Sequence, residues 1–255
     1  MSQKWLVERG LALENAVIGR FAPLDAAFVD PSSFDWTERV EAEIGSIKLE
    51  LQRLLDMNVG LPSMTSLSDR QEGLGGTNWQ ALVLRMQGSK VPSAAALCPQ
   101  TYDLVNNIKE IDSAMLSVLQ PGATIENHCG PSKAELRYHL PLVVPTSDPE
   151  ICGIRVGDTT RGWSVGESFI FDDTIDHEAW NHSEQVRVVL FIGCRRPMPA
   201  LLARIVDAVH RKVASGHPDV LEILDKSEAQ NHRIIAELEE TVIDLRDPLP
   251  AKTRI

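Results

Sequence analysis

The sequence predicts a mainly β protein with flanking helices, whose core is a double-sheet jelly roll. Short apolar runs of strand length recur between residues 78 and 196, separated by turn residues. Before and after that stretch, apolar residues recur at helical spacing instead. Two histidines, His128 and His177, each stand in a separate strand-and-turn context inside the strand-rich stretch. Two neutral imidazoles on facing strands of a small barrel can grip a divalent metal and leave several coordination positions open.

Taken in order, Trp36, Val40, Ile44, Ile47, Leu51 and Leu54 fall on one face of a helix over 36–57, with Glu38, Glu41, Glu43 and Lys48 opposite. Residues 58–77 are rich in Gly, Ser, Pro and Asn and predict a long loop. Such loops in compact domains commonly serve as lids or substrate-binding segments. Strand-type runs follow at 79–86, 111–119, 123–128, 135–144, 151–156, 167–171, 177–181 and 185–194. Their punctuation is Pro121-Gly122, Gly130-Pro131, Pro145, Gly157-Asp158 and Gly166-Glu167. About eight short strands in roughly 120 residues match a jelly roll. After Pro197 and Pro199 the chain turns helical, with Leu201, Ile205, Ala208 and Val209 as one stripe. That stripe either covers the barrel or forms a contact between two copies, a homodimer. A charged second helix is expected over 218–245. The expected organisation is a helical segment and loop over 1–77, a jelly-roll core over 78–197 and a helical extension over 198–255.

A chain of 255 residues with 43% hydrophobic content can bury one sizeable core. Its net charge of −11 argues against nucleic acid as a partner, because no basic patch is available to neutralise phosphates. Cys98, Cys129, Cys152 and Cys194 are scattered with no CxxC pair, which points to a reducing cytoplasm and away from a thiolate zinc site. The N-terminus lacks the pattern of a signal peptide, and no apolar run approaches the roughly 20 residues of a membrane span. The expectation is a soluble cytoplasmic protein with neither nucleic acid nor membrane as partner.

The chemistry concentrates around the two histidines. Alternation along a strand puts Arg137 and His139 on one face, and likewise Glu126 and His128. A turn at Gly130-Pro131-Ser132 is expected to fold the 135–144 strand back near 123–128, so that His128, Arg137 and His139 converge in the barrel mouth. Any one of these alone reads as a hydrogen-bonded residue at a strand end. Three polar groups converging beside a second histidine-bearing strand point to a site. Arg187, one strand beyond His177, is placed to anchor a carboxylate, for which a guanidinium supplies two parallel donors. The set fits an oxygen-activating non-haem iron site better than a structural metal site.

These residues carry a resemblance. His128-x-Gly130-Pro131, Leu136-Arg137-x-His139-Leu140, Ile154-Arg155-Val156-Gly157, Trp163-x-x-Gly166-Glu167, Phe171-Asp172-Asp173, His177-Glu178-x-Trp180-Asn181 and Arg187-Val188-Val189-Leu190 stand in order and spacing. Over about 117–197 they resemble the aspartyl/asparaginyl β-hydroxylase family of iron(II)- and 2-oxoglutarate-dependent oxygenases, whose fold is the double-stranded β-helix. The resemblance implies His128 and His177 as iron ligands. It implies Arg187, helped by Ser117, as the anchor of the distal carboxylate of 2-oxoglutarate, with Arg137 and His139 helping to hold that co-substrate. O2 is the second co-substrate, and the habit of the family is hydroxylation at a β-carbon.

Most such oxygenases carry Asp or Glu two residues after the first histidine, where this chain has Gly130. The family shares that gap, which water or a halide can fill. Glu126, Asp173 and Asp176 are the side chains that stand as alternatives, although the two aspartates read more simply as turn-forming or as acceptors for a histidine N–H. The expectation is a two-histidine site. In members that modify protein aspartate, an arginine precedes the Leu-Arg pair, where this chain has Glu135. Glu135 would repel an acidic substrate and attract an amine, or else points to solvent. Trp79, Arg85 and the 58–77 loop are candidates for the substrate wall, against the plainer reading of Trp79 as core and Arg85 as a surface charge. The expected substrate is an amino acid, an acylated or carrier-bound amino acid, or a peptide. Of the other residues, His182, His210, His217 and His232 read as solvated and Cys129 as a packing residue. The rivals are a zinc-dependent cupin-type hydrolase or isomerase, which has no need for Arg187, and a non-catalytic 2-oxoglutarate-binding sensor.

Overall fold

The structure, a computed structural model, describes residues 3–22, 26–57, 60–68, 74, 76–214 and 217–244. The helices are α1 (Gln3–Phe21), α2 (Thr37–Ala42), α3 (Ile44–Asp56), α4 (Met64–Leu67), α5 (Ala94–Leu97), α6 (Pro99–Asn106), α7 (Ala200–Ala214) and α8 (Pro218–Asp244). The strands are β1 (Phe28–Val29), β2 (Trp79–Met86), β3 (Ser89–Lys90), β4 (Ile111–Leu119), β5 (Ala123–His128) and β6 (Glu135–Val143), then β7 (Cys152–Val156), β8 (Thr159–Gly162), β9 (Phe169–Phe171), β10 (His177–Asn181) and β11 (Arg187–Arg195).

Among the described residues the strands form two antiparallel sheets, in the orders β1-β9-β6-β11-β4-β2-β3 and β5-β10-β7-β8. From β4 onward the chain crosses repeatedly between them: β4, β6, β9 and β11 belong to the large sheet, and β5, β7, β8 and β10 to the small one. That alternation is a double-stranded β-helix, the jelly roll expected from the strand count. It corrects one local expectation. The turn after Gly130 does not fold β6 back beside β5, because the two strands belong to different sheets.

The inner strands β4, β6 and β11 of the large sheet are buried on both faces over most of their length. On β6, Leu136, Tyr138, Leu140 and Leu142 alternate with Glu135, Arg137 and His139. Tyr138 meets Trp36, which precedes α2, edge to face at 5.1 Å. The expected stripe Val40, Ile47, Leu51 and Leu54 is buried in the same core. The single helix expected over 36–57 is instead two, α2 and α3, broken at Glu43 (φ −92°, ψ 9°). From α3, buried Glu50 accepts hydrogen bonds from the backbone of Gln100 and Thr101 and from the Thr101 hydroxyl, capping α6.

Other expectations shift. The 58–77 loop contains α4, and its residues 58–59, 69–73 and 75 lie outside the described set. The short strands β1, β3 and β8 and helices α5 and α6 carry too few periodic residues to be read from sequence. Helix α7 turns Val206 and Leu202 inward against Ile18 of α1, leaving Leu201 74% and Ile205 56% exposed. The expected Leu201–Ile205 stripe is therefore the outer face. Among the described residues no helix is long and apolar enough to cross a membrane.

Candidate functional site

His128 ends β5 and His177 begins β10, and the two residues are register partners across the small sheet. Their ring centroids lie 4.1 Å apart. A bulge produces this pairing: Ala179 faces Ile125, so regular pairing would set His177 against Asn127 rather than His128. The bulge also breaks the simple alternation that placed Glu126 beside His128, and Glu126 is exposed. Each ring makes the same local contact. Nδ1 of His128 lies 2.7 Å from the Glu126 carbonyl, and Nδ1 of His177 lies 3.0 Å from the Ile175 carbonyl. A carbonyl oxygen only accepts, so Nδ1 carries the proton in both rings and Nε2 is left as the lone-pair donor. Burial, then the neighbouring His128, pushes His177 down to about 4, which keeps it neutral.

Outside the barrel a single guanidinium ties these strands together. Arg155 on β7 donates to Asn127 (3.0 Å), Asp176 (2.8 Å) and Glu178 (2.6 Å), the residues that precede His128 and flank His177. Asp176 is thus an outward partner of Arg155.

Both histidines line a cavity of about 450 Å³ whose floor includes Gly130, Asp173, Arg137 and Glu135. Arg137 donates through Nε to Asp173 and through Nη1 to Glu135, both at 2.6 Å. Burial disfavours its charge, but Asp173 and Glu135 outweigh that and hold the guanidinium protonated. Gln87, at a left-handed φ of 47°, donates to the other oxygen of Glu135 at 2.9 Å. Glu135 is therefore buried and engaged, and the alternative that it points to solvent is excluded. A side chain at Gly193 would meet Arg137 Nη1 at 2.6 Å, so this strand position needs glycine for space. Among the described residues no group of three or more His, Cys, Asp or Glu is placed to hold a metal. Asp173 lines the cavity, yet its bonded oxygen goes to Arg137, and its Oδ1 is buried without a partner.

Deeper lies a second set. Arg187 is 1% exposed, and its Nε and Nη1 have no hydrogen-bond partner. Its guanidinium carbon stands 4.6 Å from the centroid of the Trp163 ring, and burial pushes its pKa down to about 10. Ser117 and Arg187 share a face, since Ser117 pairs with Val189. The Ser117 hydroxyl accepts from the Trp79 indole N–H at 3.1 Å. His139 sits among Trp163, Phe169, Phe171 and Phe191. Trp163 Nε1 donates to its Nδ1 at 3.4 Å, so its proton belongs on Nε2, which is buried without a partner. Burial, then Arg187, holds its pKa well below 6.5.

Buried, unpartnered donors on Arg187 and His139 are costly unless something accepts from them. With two Nε2 lone pairs nearby, the donor set fits a divalent metal together with an acidic, chelating co-substrate. The expected residues are thus brought together, except that Glu126 and Asp176 face outward. Trp79 is both buried and part of the cavity wall. Arg85 is no surface charge: it lines the cavity, and its buried Nε has no partner. His217 caps α8 at the cavity rim rather than standing in solvent, and Cys129 is exposed rather than packed. The side chain of His210 lies outside the described residues.

Several contributors had no legible signal. Asn15 of α1 donates to the Pro131 carbonyl (2.9 Å) and accepts from the Lys133 amide (2.7 Å), while Glu14 accepts from Ser132 at 2.5 Å. The N-terminal helix therefore grips the loop that follows His128. Trp163 joins His139 to Arg187, a role that no local spacing announces.

The family profile described as aspartyl/asparaginyl beta-hydroxylase matches residues 41–197. The chain is 32% identical over 211 residues to the ornithine lipid ester-linked acyl 2-hydroxylase of Rhizobium tropici, covering 82% of this chain and 74% of that protein. That alignment is longer than the matched profile, so it runs into the terminal segments. Against the human aspartyl/asparaginyl beta-hydroxylase the identity is 29% over 175 residues, covering 66% of this chain and 22% of that protein, so this chain spans about a fifth of its length. A Pseudomonas putida prolyl-4-hydroxylase structure overlaps at TM-score 0.40 and 15% identity, covering 73% of this chain and 99% of that one.

Proposed function

We infer the function from one plain fact: the chain belongs to the aspartyl/asparaginyl β-hydroxylase family. It is a hydroxylase, acting on an amino acid or an acylated substrate. We propose that His128 and His177 hold iron(II), that Arg187 with Ser117 binds the distal carboxylate of 2-oxoglutarate, and that O2 is the second co-substrate. The observation that carries this reading is Arg187: a guanidinium 1% exposed, with unpartnered Nε and Nη1, in the same barrel as the paired imidazoles.

When bound, iron(II) with 2-oxoglutarate and O2 supplies the oxidising power to convert an aliphatic C–H to C–OH, the co-substrate leaving as succinate and carbon dioxide. The rest falls to the chain. The Glu126 and Ile175 carbonyls fix the tautomer and tilt of the two ligand rings. Arg187, buried over the face of Trp163 with Nε and Nη1 unpartnered, would bind the distal carboxylate of the co-substrate. His139, neutral and with its proton on Nε2, would help hold the same co-substrate by donating to it. Arg137, engaged by Glu135 and Asp173, forms the polar wall beside the metal ligands. Trp79, Arg85 and Glu135 are the residues we assign to the substrate side of the cavity. The four free cysteines support a cytoplasmic location.

An anaerobic titration of the metal-free protein with iron(II) and 2-oxoglutarate tests the reading. A visible metal-to-ligand charge-transfer band that disappears in His177→Ala is expected. No band, with zinc bound tightly instead, would overturn it in favour of a hydrolase.

A further inference from the structure

The cavity has two unlike walls. Beside the histidine pair stand Glu135, Arg137 and Asp173, joined to one another by hydrogen bonds. Most of the wall contributed by helices α1, α4 and α8 and the 58–77 loop is apolar: Leu11 of α1, Met64 of α4, Leu74 of the loop, and Val220 and Ile223 of α8, continued by Met86 at the end of β2, with Ser68, Gln87 and Ser132 as polar members from the connecting segments. The polar exceptions from α8 and its lead-in, His217 and Asp219, contact one another at 3.7 Å. Leu11 is held in place and is no fraying end, because Glu14 and Asn15, on the next turn of α1, are bonded to residues 131–133.

We propose that this wall is a subsite for the aliphatic chain of an acylated substrate, with Leu11, Val220 and Ile223 as its specificity-determining residues. The proposal rests on the hydroxylase reading and names the substrate class for that same site. The physical argument is one of satisfaction. A peptide threaded past this wall would leave backbone N–H and C=O groups facing methyl and thioether groups, at a cost in unpaired polar atoms. A methylene chain has no polar atom to satisfy, and flexible methionines fit it without a fixed shape. A cavity of about 450 Å³ is the size of ordinary small-ligand sites, roughly 300–1,000 Å³.

The test is binding by calorimetry of N-butanoylglycine and N-dodecanoylglycine to the full chain without added metal or 2-oxoglutarate. Failure of the iron and co-substrate reading would thus leave this readout intact. Each buried methylene can strengthen binding by up to roughly fourfold, so the longer probe is expected to bind at least tenfold more tightly. Val220→Trp, and independently Leu11→Trp on the other helix, should erase that difference while leaving the short probe within twofold. Equal affinity of the two probes for the unaltered chain would overturn the proposal. So would a difference that survives in whichever variant retains the native circular dichroism spectrum.

Discussion

Gly130 and Asp173 compete for one volume: a Cβ built on Gly130 would overlap the carboxyl group of Asp173. The Gly130 amide also donates to the Asp173 carbonyl at 2.6 Å, so the two backbones cannot drift apart freely. The position where other oxygenases place a ligand carboxylate is therefore closed by a carboxylate from the β9–β10 turn. Gly130→Ala should cost about 1–3 kcal/mol, the range for overpacking. Asp173→Ala in the same chain should recover part of that loss. Denaturant unfolding of the two single variants and the double variant measures the coupling, and strict additivity would show that the overlap relaxes without strain.

Arg187→Ala should weaken 2-oxoglutarate binding by about 2–5 kcal/mol, the range for truncating one partner of a buried charge pair. Arg187→Lys should rescue little, because an ammonium cannot present two parallel donors. Titration of the co-substrate in the presence of manganese(II) reads both, and unchanged affinity in Arg187→Ala would remove the anchor role.

His128→Ala and His177→Ala should each abolish iron binding and turnover, since among the described residues no third side chain is placed to compensate. Metal content after dialysis against iron(II) checks this. Near-stoichiometric iron in either variant would take that residue out of the ligand set.

Arg155→Ala should lower metal affinity by about 10–100-fold, the usual effect of removing an outer partner of a ligand. It should do so without touching the cavity, because among the described residues the guanidinium donates to Asn127, Asp176, Glu178 and the Gly157 carbonyl, which lie outside the cavity lining. Cobalt(II) titration should therefore show weaker binding with an unchanged absorption spectrum. An altered spectrum would mean that Arg155 shapes the site itself.

The metal-free protein should lose stability as pH falls below about 6.5. His139 and His177 are held neutral by burial, with folded pKa values below the unfolded value near 6.5. Above that value both states are neutral and the contribution is complete. As pH falls toward the folded pKa, the unfolded chain binds protons that the native state refuses. Each imidazole then removes about 1.4 kcal/mol per pH unit. Unfolding midpoints between pH 7 and 5 should show a shallower slope in His139→Gln. The same slope in that variant would mean that His139 is protonated in the native state.

Much of the barrel was legible because its strands alternate with clear turn residues: β2, β4, β5 and β10 begin and end where the apolar runs predict. The residues of the site were legible as residues, since His128, Arg137, His139, His177 and Arg187 have few structural reasons to recur on one barrel. Their partners were not. Glu135 reads from sequence either as a charge facing the substrate or as one pointing to solvent, yet it is engaged by Arg137 and Gln87, one of them 48 positions away in the chain. The α7 stripe was read one position off, because local spacing cannot say which of two adjacent apolar rows meets Ile18 of a helix nearly two hundred residues earlier.

By itself the sequence determined the jelly-roll class, the two-histidine pair and the buried arginine, because side-chain chemistry and the alternation of strands are local properties. Tertiary structure alone decided the rest. It decided that a bulge turns His128 to face His177, that Asp173 occupies the space Gly130 leaves open, and that α1 and α8 supply the apolar wall. Those relations depend on which surfaces meet when the two sheets and the terminal helices pack, and packing is set by volume and pairing over the whole molecule rather than by neighbours in the chain.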